Sequence, residues 1–356
     1  MCVSTFSLAG LRVLRSAGTA EPFLDANGHQ LPGSISQKLS VPINGVQQGM
    51  VIRGKDASNP ILLWVHGGPG MPDYVLTQQH PPGLEDLVTV AWWDQRGTAL
   101  SYHSDIPRDT MTIEQFVADT LAVTDYLRHR FHQDRIFILG HSWGSFIALQ
   151  AAARSPERYK AYLGMAQMVC QLESEMLAYN HMLAAYRERG ETAMVRELEA
   201  AAVTTISGTP EAYLRVRDRA MHELGIGTTH DMKSVITGIF LASWRFRGYT
   251  LLEKVNLWRG RAFSRSFGLW DQFLRVDLRK TVPALQIPVY FLEGRYDYTC
   301  VTSLARAYFE QLEAPMKGFY EFDSSAHSPL LEEPQKAHRI LAHDVLAGAT
   351  TLADLR

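Results

Sequence analysis

The sequence predicts an α/β fold with a mostly parallel sheet, helices on both faces and an inserted helical segment. Short continuous apolar runs, such as residues 61–65 and 136–139, alternate with stretches of helical periodicity. Continuous apolar strands are typical of a parallel sheet that is covered on both faces. From about residue 168 to residue 280 helical patterns follow one another without a clear buried strand, and the alternation resumes at residue 289. Regular alternation of strand and helix occurs in α/β folds.

This interruption predicts how the chain is divided. We expect one α/β core made from residues 1–165 and 281–356, with residues 166–280 forming a helical cap. The length of 356 residues is enough for a large core that carries an insertion.

The first elements of the core are predicted from turn residues and apolar runs. Asn44 and Gly45 form the dipeptide that a two-residue hairpin turn prefers, because both residues tolerate positive φ. Thr112 opens a helix with apolar residues at a spacing of three to four, and Gln115 completes a predicted capping box. The predicted strands of this half are residues 38–43, 47–53, 61–65 and 87–93.

The remaining elements follow the same two patterns. The predicted strands are residues 135–139, 159–165, 289–292 and 318–322. The predicted helices are residues 145–153, 172–189, 192–202 and 301–312, and a further helix after Pro334. Residues 1–35 show little periodicity and are predicted to be irregular.

Charge and composition exclude several classes of partner. There are 35 Lys and Arg residues against 37 Asp and Glu, a net charge of −2, so nothing favours nucleic acid or an anionic membrane. No run approaches the roughly 18 apolar residues of a membrane span. A secretory signal requires a positive residue before its apolar segment, and no positive residue precedes the apolar segment at this N-terminus. The three cysteines are far apart, which favours reduced thiols and a cytoplasmic location. No metal-ligand spacing is present, so we expect neither a metal nor a cofactor.

The central chemical signal is the segment GHSWG at residues 140–144. A predicted strand precedes it and a predicted helix follows, which is the strand–turn–helix setting of a nucleophile elbow. Gly140 and Gly144 remove side chains that would collide across so sharp a turn. We therefore predict Ser142 as a nucleophile. The alternative is a serine that only caps a helix after a glycine turn.

A serine nucleophile needs a base, and the base needs a carboxylate to orient it. Asp297 lies just past one predicted strand and His327 just past the next. The order Ser142, Asp297, His327 places all three at one edge of a parallel sheet. The alternatives are a surface-loop histidine and a loop-capping aspartate. Glu293 is the next candidate for the acid, although it lies nearer the buried strand.

Two backbone segments are candidates for an oxyanion hole. The N–H of Trp143 follows the nucleophile, and the loop HGGPG at residues 66–70 supplies a second N–H from Gly67 or Gly68. Main-chain amides approach a substrate oxygen closely only where no side chain obstructs them. A tight structural turn is the alternative. The loop lacks the Lys-Ser/Thr that ends a phosphate-binding P-loop.

Five segments together resemble the proline iminopeptidase family of α/β hydrolases. They are HGGPG at 66–70, DQRG at 94–97, GHSWGS at 140–145, GRYD at 294–297 and SAHS at 325–328. The resemblance implies a triad of Ser142, Asp297 and His327, a cap that selects substrates, no cofactor, and release of an N-terminal residue from a peptide or amide. In DQRG we expect Asp94 and Arg96 to pair and to brace the loops around the site.

The resemblance is weaker in the cap. Acidic cap residues recognise the free amino group of the substrate in that family, one of them in a tryptophan-rich segment that is absent between residues 203 and 255. We predict the cap carboxylates to be solvated helix charges: Glu173, Glu175, Glu223, Asp231 and Glu253. We predict the cap aromatics to pack as core rather than as an acyl pocket: Phe240, Trp244, Phe246, Trp258, Phe263, Phe267 and Trp270.

Three functions remain open on the sequence. The first is an aminopeptidase of the proline iminopeptidase type that acts on short peptides or small amides. The second is a carboxylesterase or amidohydrolase that uses the same triad on small acyl substrates. The third, from a different class, is a non-catalytic binding protein on a hydrolase fold. The expected partner is a small molecule or short peptide, and the sequence leaves the oligomeric state open.

Overall fold

The computed structural model describes residues 16–356. The predictions for Cys2 and the N-terminal signal segment therefore lie outside the described residues, as does much of the predicted irregular lead-in. The sheet has eight strands: β1 Ile35–Ile43, β2 Val46–Gly54, β3 Ile61–Val65, β4 Thr89–Trp93, β5 Ile136–His141, β6 Tyr159–Met165, β7 Val289–Gly294 and β8 Lys317–Phe322.

The strands lie in the order β1-β2-β4-β3-β5-β6-β7-β8. Strand β2 pairs antiparallel with both β1 and β4, and every pair from β4 to β8 is parallel. After β3 the chain adds β4 on one side, and β5 then lies on the other side of β3. This is a topological switch point, where α/β sheets open a crevice at the carboxyl ends of the strands.

Successive residues of the central strands pack into two different cores. Leu63 and Ile138 belong to the cluster on one face, whereas Leu62 and Leu139 belong to the cluster on the other. Side chains alternate across a strand, so both faces must be covered. The predicted mostly parallel α/β sheet with helices on both faces is confirmed.

The described part of the core has six α-helices; the short helices Tyr74–Gln79 and Pro329–Glu332 were not predicted, and the other four begin close to the predicted starts. The six are Tyr74–Gln79, Ile113–Arg130, Trp143–Arg154, Thr302–Gln311, Pro329–Glu332 and Pro334–Ile340. Between β6 and β7 the chain forms no strand of the sheet and contains seven α-helices. They are Gln171–Glu188, Thr192–Glu199, Glu211–Leu224, Leu241–Arg245, Leu251–Arg265, Leu269–Leu274 and Leu278–Thr281. No helix within residues 16–356 combines the length and the apolar character needed to cross a bilayer.

Local turn chemistry matches the sequence in the first hairpin and only partly at Thr112. Asn44 and Gly45 both have positive φ, 43° and 79°, as their turn requires. Thr112 caps its helix by accepting from the Gln115 N–H at 3.2 Å. The Gln115 side chain instead donates to Asp119 at 2.8 Å, so the reciprocal half of the predicted capping box is absent there.

Candidate active site

Ser142 lies on a strained turn between β5 and the helix Trp143–Arg154. Its φ of 55° and ψ of −122° are unfavourable for a residue with a side chain. A Cβ on Gly140 would lie 2.5 Å from the Gly144 oxygen, and a Cβ on Gly144 would lie 1.9 Å from the Val65 oxygen. Gly140 is therefore needed for the turn to close on itself and Gly144 for it to fit against β3, and the turn presents Ser142 at the switch point.

Asp297 and His327 are joined by a hydrogen bond. The imidazole Nδ1 lies 2.8 Å from the Asp297 Oδ2. The other carboxylate oxygen of Asp297 accepts from the N–H groups of Thr299 and Cys300 at 2.7 and 3.0 Å. Asp297 is buried, so these bonds replace the water that a carboxylate requires. The carboxylate is thus fixed, and it holds one tautomer and one orientation of the ring.

The Ser142 hydroxyl lies beside the same loop. Its Oγ is 3.9 Å from the Cys300 Sγ, and it makes no hydrogen bond with the His327 ring in the described part of the chain. Catalytic hydrogen bonds are often long before a substrate is bound. The structure therefore joins Asp297 to His327 and places Ser142 nearby, but leaves the bond between serine and imidazole open. Both Ser142 and His327 are largely buried.

Gly67 faces Ser142 across the switch point. A Cβ on Gly67 would lie 3.2 Å from the Ser142 Cβ and 3.3 Å from the His141 oxygen, so a larger residue would crowd the serine. On the other side, Trp143 begins a helix, and the first N–H groups of a helix have no intrahelical partner. Gly67 thus lies against Ser142 from across the switch point, and Trp143 follows Ser142 at the start of the helix.

Gln95 connects the two sides of this arrangement, and the sequence interpretation had not assigned it a role. Its amide donates to the His66 main-chain oxygen at 2.7 Å and accepts from the Trp143 indole at 2.8 Å. Its own N–H donates to the His66 ring at 3.1 Å. Burial lowers the pKa of His66 to about 4, which leaves its ring neutral and able to accept. Gln95 thus ties the HGGPG loop to the residue after Ser142.

The predicted pairing of Asp94 with Arg96 is wrong. Arg96 instead forms two hydrogen bonds to Asp119, at 2.8 and 3.0 Å, with both side chains buried. Asp94 accepts from the Leu100 N–H at 3.0 Å, and burial raises its pKa to about 7. Arg96 binds Asp119 because the helix Ile113–Arg130 places this carboxylate beside the guanidinium. The two residues are 23 positions apart in the sequence.

A second histidine and aspartate lie directly behind the site, and no motif had indicated this pair. The His141 Nδ1 lies 2.9 Å from the Asp73 Oδ2, and its Nε2 lies 2.9 Å from the main-chain oxygen of His327. The Trp64 indole donates to the same Asp73 oxygen at 2.9 Å. Although burial opposes it, the Asp73 charge raises the pKa of His141, and the His141 charge lowers the pKa of Asp73. A charged His141 donates from both ring nitrogens and so fixes the His327 carbonyl.

Glu293, the alternative acid, is placed differently from Asp297. It lies within β7 and is buried, and its Oε1 accepts from the Gln167 N–H at 2.9 Å. Its Oε2 has no hydrogen-bond partner, and burial raises its pKa well above the usual range. Burial thus favours the neutral form of the Glu293 carboxyl, and Glu293 makes no hydrogen bond with His327.

Helical segments between β6 and β7 contact the loops of the site. The His327 N–H donates to the Gly227 oxygen at 3.3 Å. The rings of His230 and Tyr296 stack with their centroids 4.0 Å apart, as do those of His181 and Tyr298. The main chain of His327 is therefore held from two sides, by this insertion at its N–H and by His141 at its carbonyl.

The insertion's carboxylates do not all match the prediction of solvated charges. Glu175 is fully buried, with its oxygens 2.7 and 2.8 Å from two nitrogens of Arg217 and 2.7 Å from the Tyr213 hydroxyl. The prediction is wrong for Glu175, because a buried carboxylate requires such partners. Glu253 forms the capping box of Thr250 and pairs with Lys38, and Glu173 pairs with Arg279. Glu223 and Asp231 are exposed.

Within residues 16–356 there is no group of three or more His, Cys, Asp or Glu side chains arranged to hold a metal ion. The two described cysteines, Cys170 and Cys300, are buried and form no disulfide. The side chains assembled here are a serine, an imidazole and a carboxylate facing backbone amides. This set suits acyl transfer through a covalent intermediate.

Comparison with known proteins gives consistent matches. A family model described as the alpha/beta hydrolase fold matches residues 60–334. A relative from Bacillus subtilis named probable aminopeptidase YbaC is 32% identical over 305 residues, covering 85% of this chain and 93% of the relative. A proline iminopeptidase of Lactobacillus delbrueckii subsp. lactis is 23% identical, covering 85% of this chain and 95% of the relative.

Solved structures show the same fold. The proline iminopeptidase of Mycobacterium smegmatis superposes with a TM-score of 0.64 at 18% identity, covering 87% of this chain and all of that chain. An esterase from Exiguobacterium antarcticum gives 0.54 at 13% identity, covering 86% of this chain and 98% of that chain.

Proposed function

The chain belongs to the alpha/beta hydrolase fold family and is a hydrolase, and on that premise we propose a serine aminopeptidase of the proline iminopeptidase type. It would remove N-terminal residues from short peptides or small amides through an acyl-enzyme on Ser142. The observation that carries the proposal is the bond of 2.8 Å between Asp297 and His327, beside a serine on a strained turn.

The proposed reaction has two acyl-transfer steps. The His327 Nε2 takes the proton of Ser142 as the serine oxygen bonds to the substrate carbonyl carbon. The protonated ring then gives that proton to the leaving amine nitrogen, and the carbon–nitrogen bond breaks. Water, deprotonated by the same ring, then attacks the ester carbonyl carbon; the ring returns that proton to the Ser142 oxygen as the bond between this oxygen and the acyl carbon breaks. Asp297 holds the ring and stabilises its charged form.

The oxyanion of each tetrahedral intermediate would accept from two backbone donors. These are the N–H of Trp143 and that of Gly67 or Gly68. The contact of Gly67 with Ser142 and the bridge through Gln95 support this assignment, since they set the two donors against the nucleophile. Losing one such donor typically costs about 3 kcal/mol of transition-state stabilisation.

The helices between β6 and β7 support a division into a core of residues 1–165 and 281–356 and a cap of residues 166–280. Cap and core meet at the site, because Gly227 contacts His327 and His230 stacks on Tyr296. We assign substrate selection to this cap. The unpaired, buried thiols of Cys170 and Cys300 support a cytoplasmic location.

The names of the relatives support peptide substrates, since the two relatives described above are named as aminopeptidase and proline iminopeptidase. An aminopeptidase of this type requires an anionic group for the substrate's free amine. Glu175 is buried in the cap, but its charge is already balanced by Arg217.

That balanced pair favours ester hydrolysis as a second candidate. With Glu175 engaged by Arg217 and Tyr213, the most deeply buried of the five carboxylates singled out from the sequence is not free to bind an ammonium group. The proposed nucleophile, base and oxyanion donors serve an ester equally well, because an alcohol leaves more readily than an amine. The two candidates differ in the cap and share the core chemistry.

One paired assay tests both the chemistry and the substrate. Wild type, Ser142→Ala and the exposed control Ser266→Ala are assayed on prolyl, alanyl and leucyl p-nitroanilides and on p-nitrophenyl esters. We expect prolyl anilide to be cleaved best, and Ser142→Ala to reduce turnover by at least about 10³-fold with the fold retained. Turnover of esters alone supports the second candidate. Near-normal activity of Ser142→Ala rejects both.

A further inference from the structure

One arginine near the site differs from all others that are shielded from solvent. Eight arginines within residues 16–356 are buried or half-buried, and seven have a carboxylate oxygen within 4.0 Å. Those seven are Arg53, Arg96, Arg128, Arg158, Arg217, Arg279 and Arg306. The eighth, Arg261, has none. Its guanidinium contacts the Met71 Sδ at 3.8 Å and lies 5.6 Å from the centroid of the Trp258 ring.

Arg261 lies against the loop that approaches Ser142. It belongs to the helix Leu251–Arg265, and a Cβ on Gly70 would lie 3.3 Å from the Arg261 Cα. Met71, which the guanidinium contacts, donates its N–H to the Gly67 oxygen at 3.4 Å. Gly67 in turn is the residue that faces Ser142. Arg261 and Ser142 therefore contact the same short loop, Arg261 beside Gly70 and Met71 and Ser142 beside Gly67.

The charges around Arg261 leave it without a counterion. Burial and the neighbouring charge of Arg265 lower the pKa of Arg261, whereas the charge of Asp218 raises it. Asp218 lies beyond 4.0 Å and is engaged by Arg217 at 3.2 Å. A half-buried guanidinium with only a thioether as hydrogen-bond partner has lost hydration without replacement. An anion bound here would supply the hydrogen bonds and the opposite charge that the Arg261 guanidinium lacks.

The shape of a guanidinium indicates which anion fits. Its planar set of donors matches the two oxygens of a carboxylate, and such paired bonds are among the strongest in proteins. The Trp258 ring lies within cation–π distance of the guanidinium, with 5.6 Å between the guanidinium carbon and the ring centroid. A peptide spans at most about 3.5 Å per residue, so the terminal carboxylate lies up to about 3.5 Å beyond the scissile bond in a dipeptide and up to about 7 Å beyond it in a tripeptide.

We propose that Arg261 binds the C-terminal carboxylate of a di- or tripeptide whose N-terminal residue is transferred to Ser142. This inference rests on the proposed aminopeptidase function and narrows its substrates to short peptides with a free carboxyl end. Peptide amides have no terminal carboxylate, and in longer peptides the carboxylate lies farther from the scissile bond. Both are therefore poorer substrates.

The test compares each peptide acid with its amide. Steady-state kcat/KM is measured for Pro-Ala and Pro-Ala amide with wild type, Arg261→Gln, Arg261→Lys and the control Arg265→Gln. Arg265 lies on the same helix, is exposed, and its substitution removes the same charge. We expect wild type to prefer the acid by about 10-fold or more, as a charged hydrogen-bonded pair implies.

The ratio of kcat/KM for the acid to kcat/KM for the amide should fall close to one in Arg261→Gln. It should be intermediate in Arg261→Lys and should keep the wild-type value in Arg265→Gln. If Arg261 has only a structural role, its substitution would lower kcat/KM for the acid and for the amide by the same factor. The ratio of the two kcat/KM values would then stay unchanged. A wild-type ratio near one, or an unchanged ratio in Arg261→Gln, overturns the proposal.

A second measurement separates this proposal from the proposed function. If wild type cleaves esters but no peptide, the proposed aminopeptidase function is wrong. Binding of a carboxylate by Arg261 is then measured as inhibition of p-nitrophenyl ester hydrolysis. N-acetylalanine should then inhibit wild type about 10-fold more strongly than its amide, and Arg261→Gln should remove the difference. Equal inhibition by acid and amide in wild type overturns the carboxylate site.

Discussion

The imidazole of His141 donates from its Nε2 to the main-chain oxygen of His327, 2.9 Å away. The two rings lie 5.0 Å apart between centroids, and the opposite nitrogen of His141 bonds to Asp73. The residue before the proposed nucleophile thus holds the backbone of the proposed base. Because a displacement of about 1 Å at a catalytic group can cost roughly 100-fold in rate, this contact has consequences for turnover.

Asp73→Asn should lower kcat about 10-fold while changing KM little. The substitution removes the charge that keeps His141 protonated, so His141 no longer donates from both nitrogens and the His327 carbonyl is held less firmly. Substrate contacts remain. Steady-state kinetics on the best substrate measure the effect, with the exposed pair member Asp86→Asn as control. An unchanged kcat in Asp73→Asn would show that the pair does not position His327.

The contribution of this pair to folding should depend on pH in both directions. The pKa of His141 is raised in the fold, so its contribution is complete below the ordinary value of 6.5 and is lost as pH rises through the raised pKa. The pKa of Asp73 is lowered, so its contribution is complete above 3.8 and is lost as pH falls through the lowered pKa. The pair therefore stabilises the fold fully between about pH 4 and 6.5.

Denaturant unfolding of wild type and Asp73→Asn across this range tests the sign. The difference in unfolding free energy should be largest between about pH 4 and 6.5, at about 1–3 kcal/mol, and should shrink at higher pH. A difference that grows steadily from pH 5 to pH 9 would contradict a charged His141.

Gln95→Leu should reduce kcat by about 10- to 100-fold. Leucine has a similar size but leaves the His66 carbonyl and the Trp143 indole without their partner, so the two proposed oxyanion donors are no longer tied together. The exposed Gln47→Leu serves as control. Full activity of Gln95→Leu would show that the HGGPG loop keeps its position without this bridge.

Asp297→Asn and Glu293→Gln should differ strongly in activity. Asparagine at 297 cannot hold the His327 tautomer in the same way, and kcat should fall by about 10³- to 10⁴-fold. Glutamine at 293 replaces a carboxyl whose neutral form burial favours, and its oxygen still accepts from the Gln167 N–H. Turnover should therefore stay within about 2-fold. The reverse ranking of the two variants would move the role of acid to Glu293.

The sequence predicted elements whose signals are local. Apolar runs gave the strands, Asn44-Gly45 gave the first hairpin, and GHSWG gave the turn at Ser142, because each depends on a few adjacent residues. The loops that carry Asp297 and His327 followed from strand order, since parallel strands end at one edge of a sheet. The catalytic roles of these three residues stay predictions that the kinetic experiments address.

Only the tertiary structure decided which polar side chains meet. Arg96 binds Asp119 rather than Asp94, Glu175 is buried against Arg217, and Asp73 reaches His141 from 68 residues away. A side chain pairs with whatever the packing of distant segments brings within hydrogen-bond distance, and burial makes those pairings obligatory. The residues adjacent to a side chain in the sequence therefore do not indicate which distant side chain it will pair with. The position of the Arg261 guanidinium, which has no carboxylate partner among the described residues, likewise depends on the packing of the helix Leu251–Arg265 against the HGGPG loop.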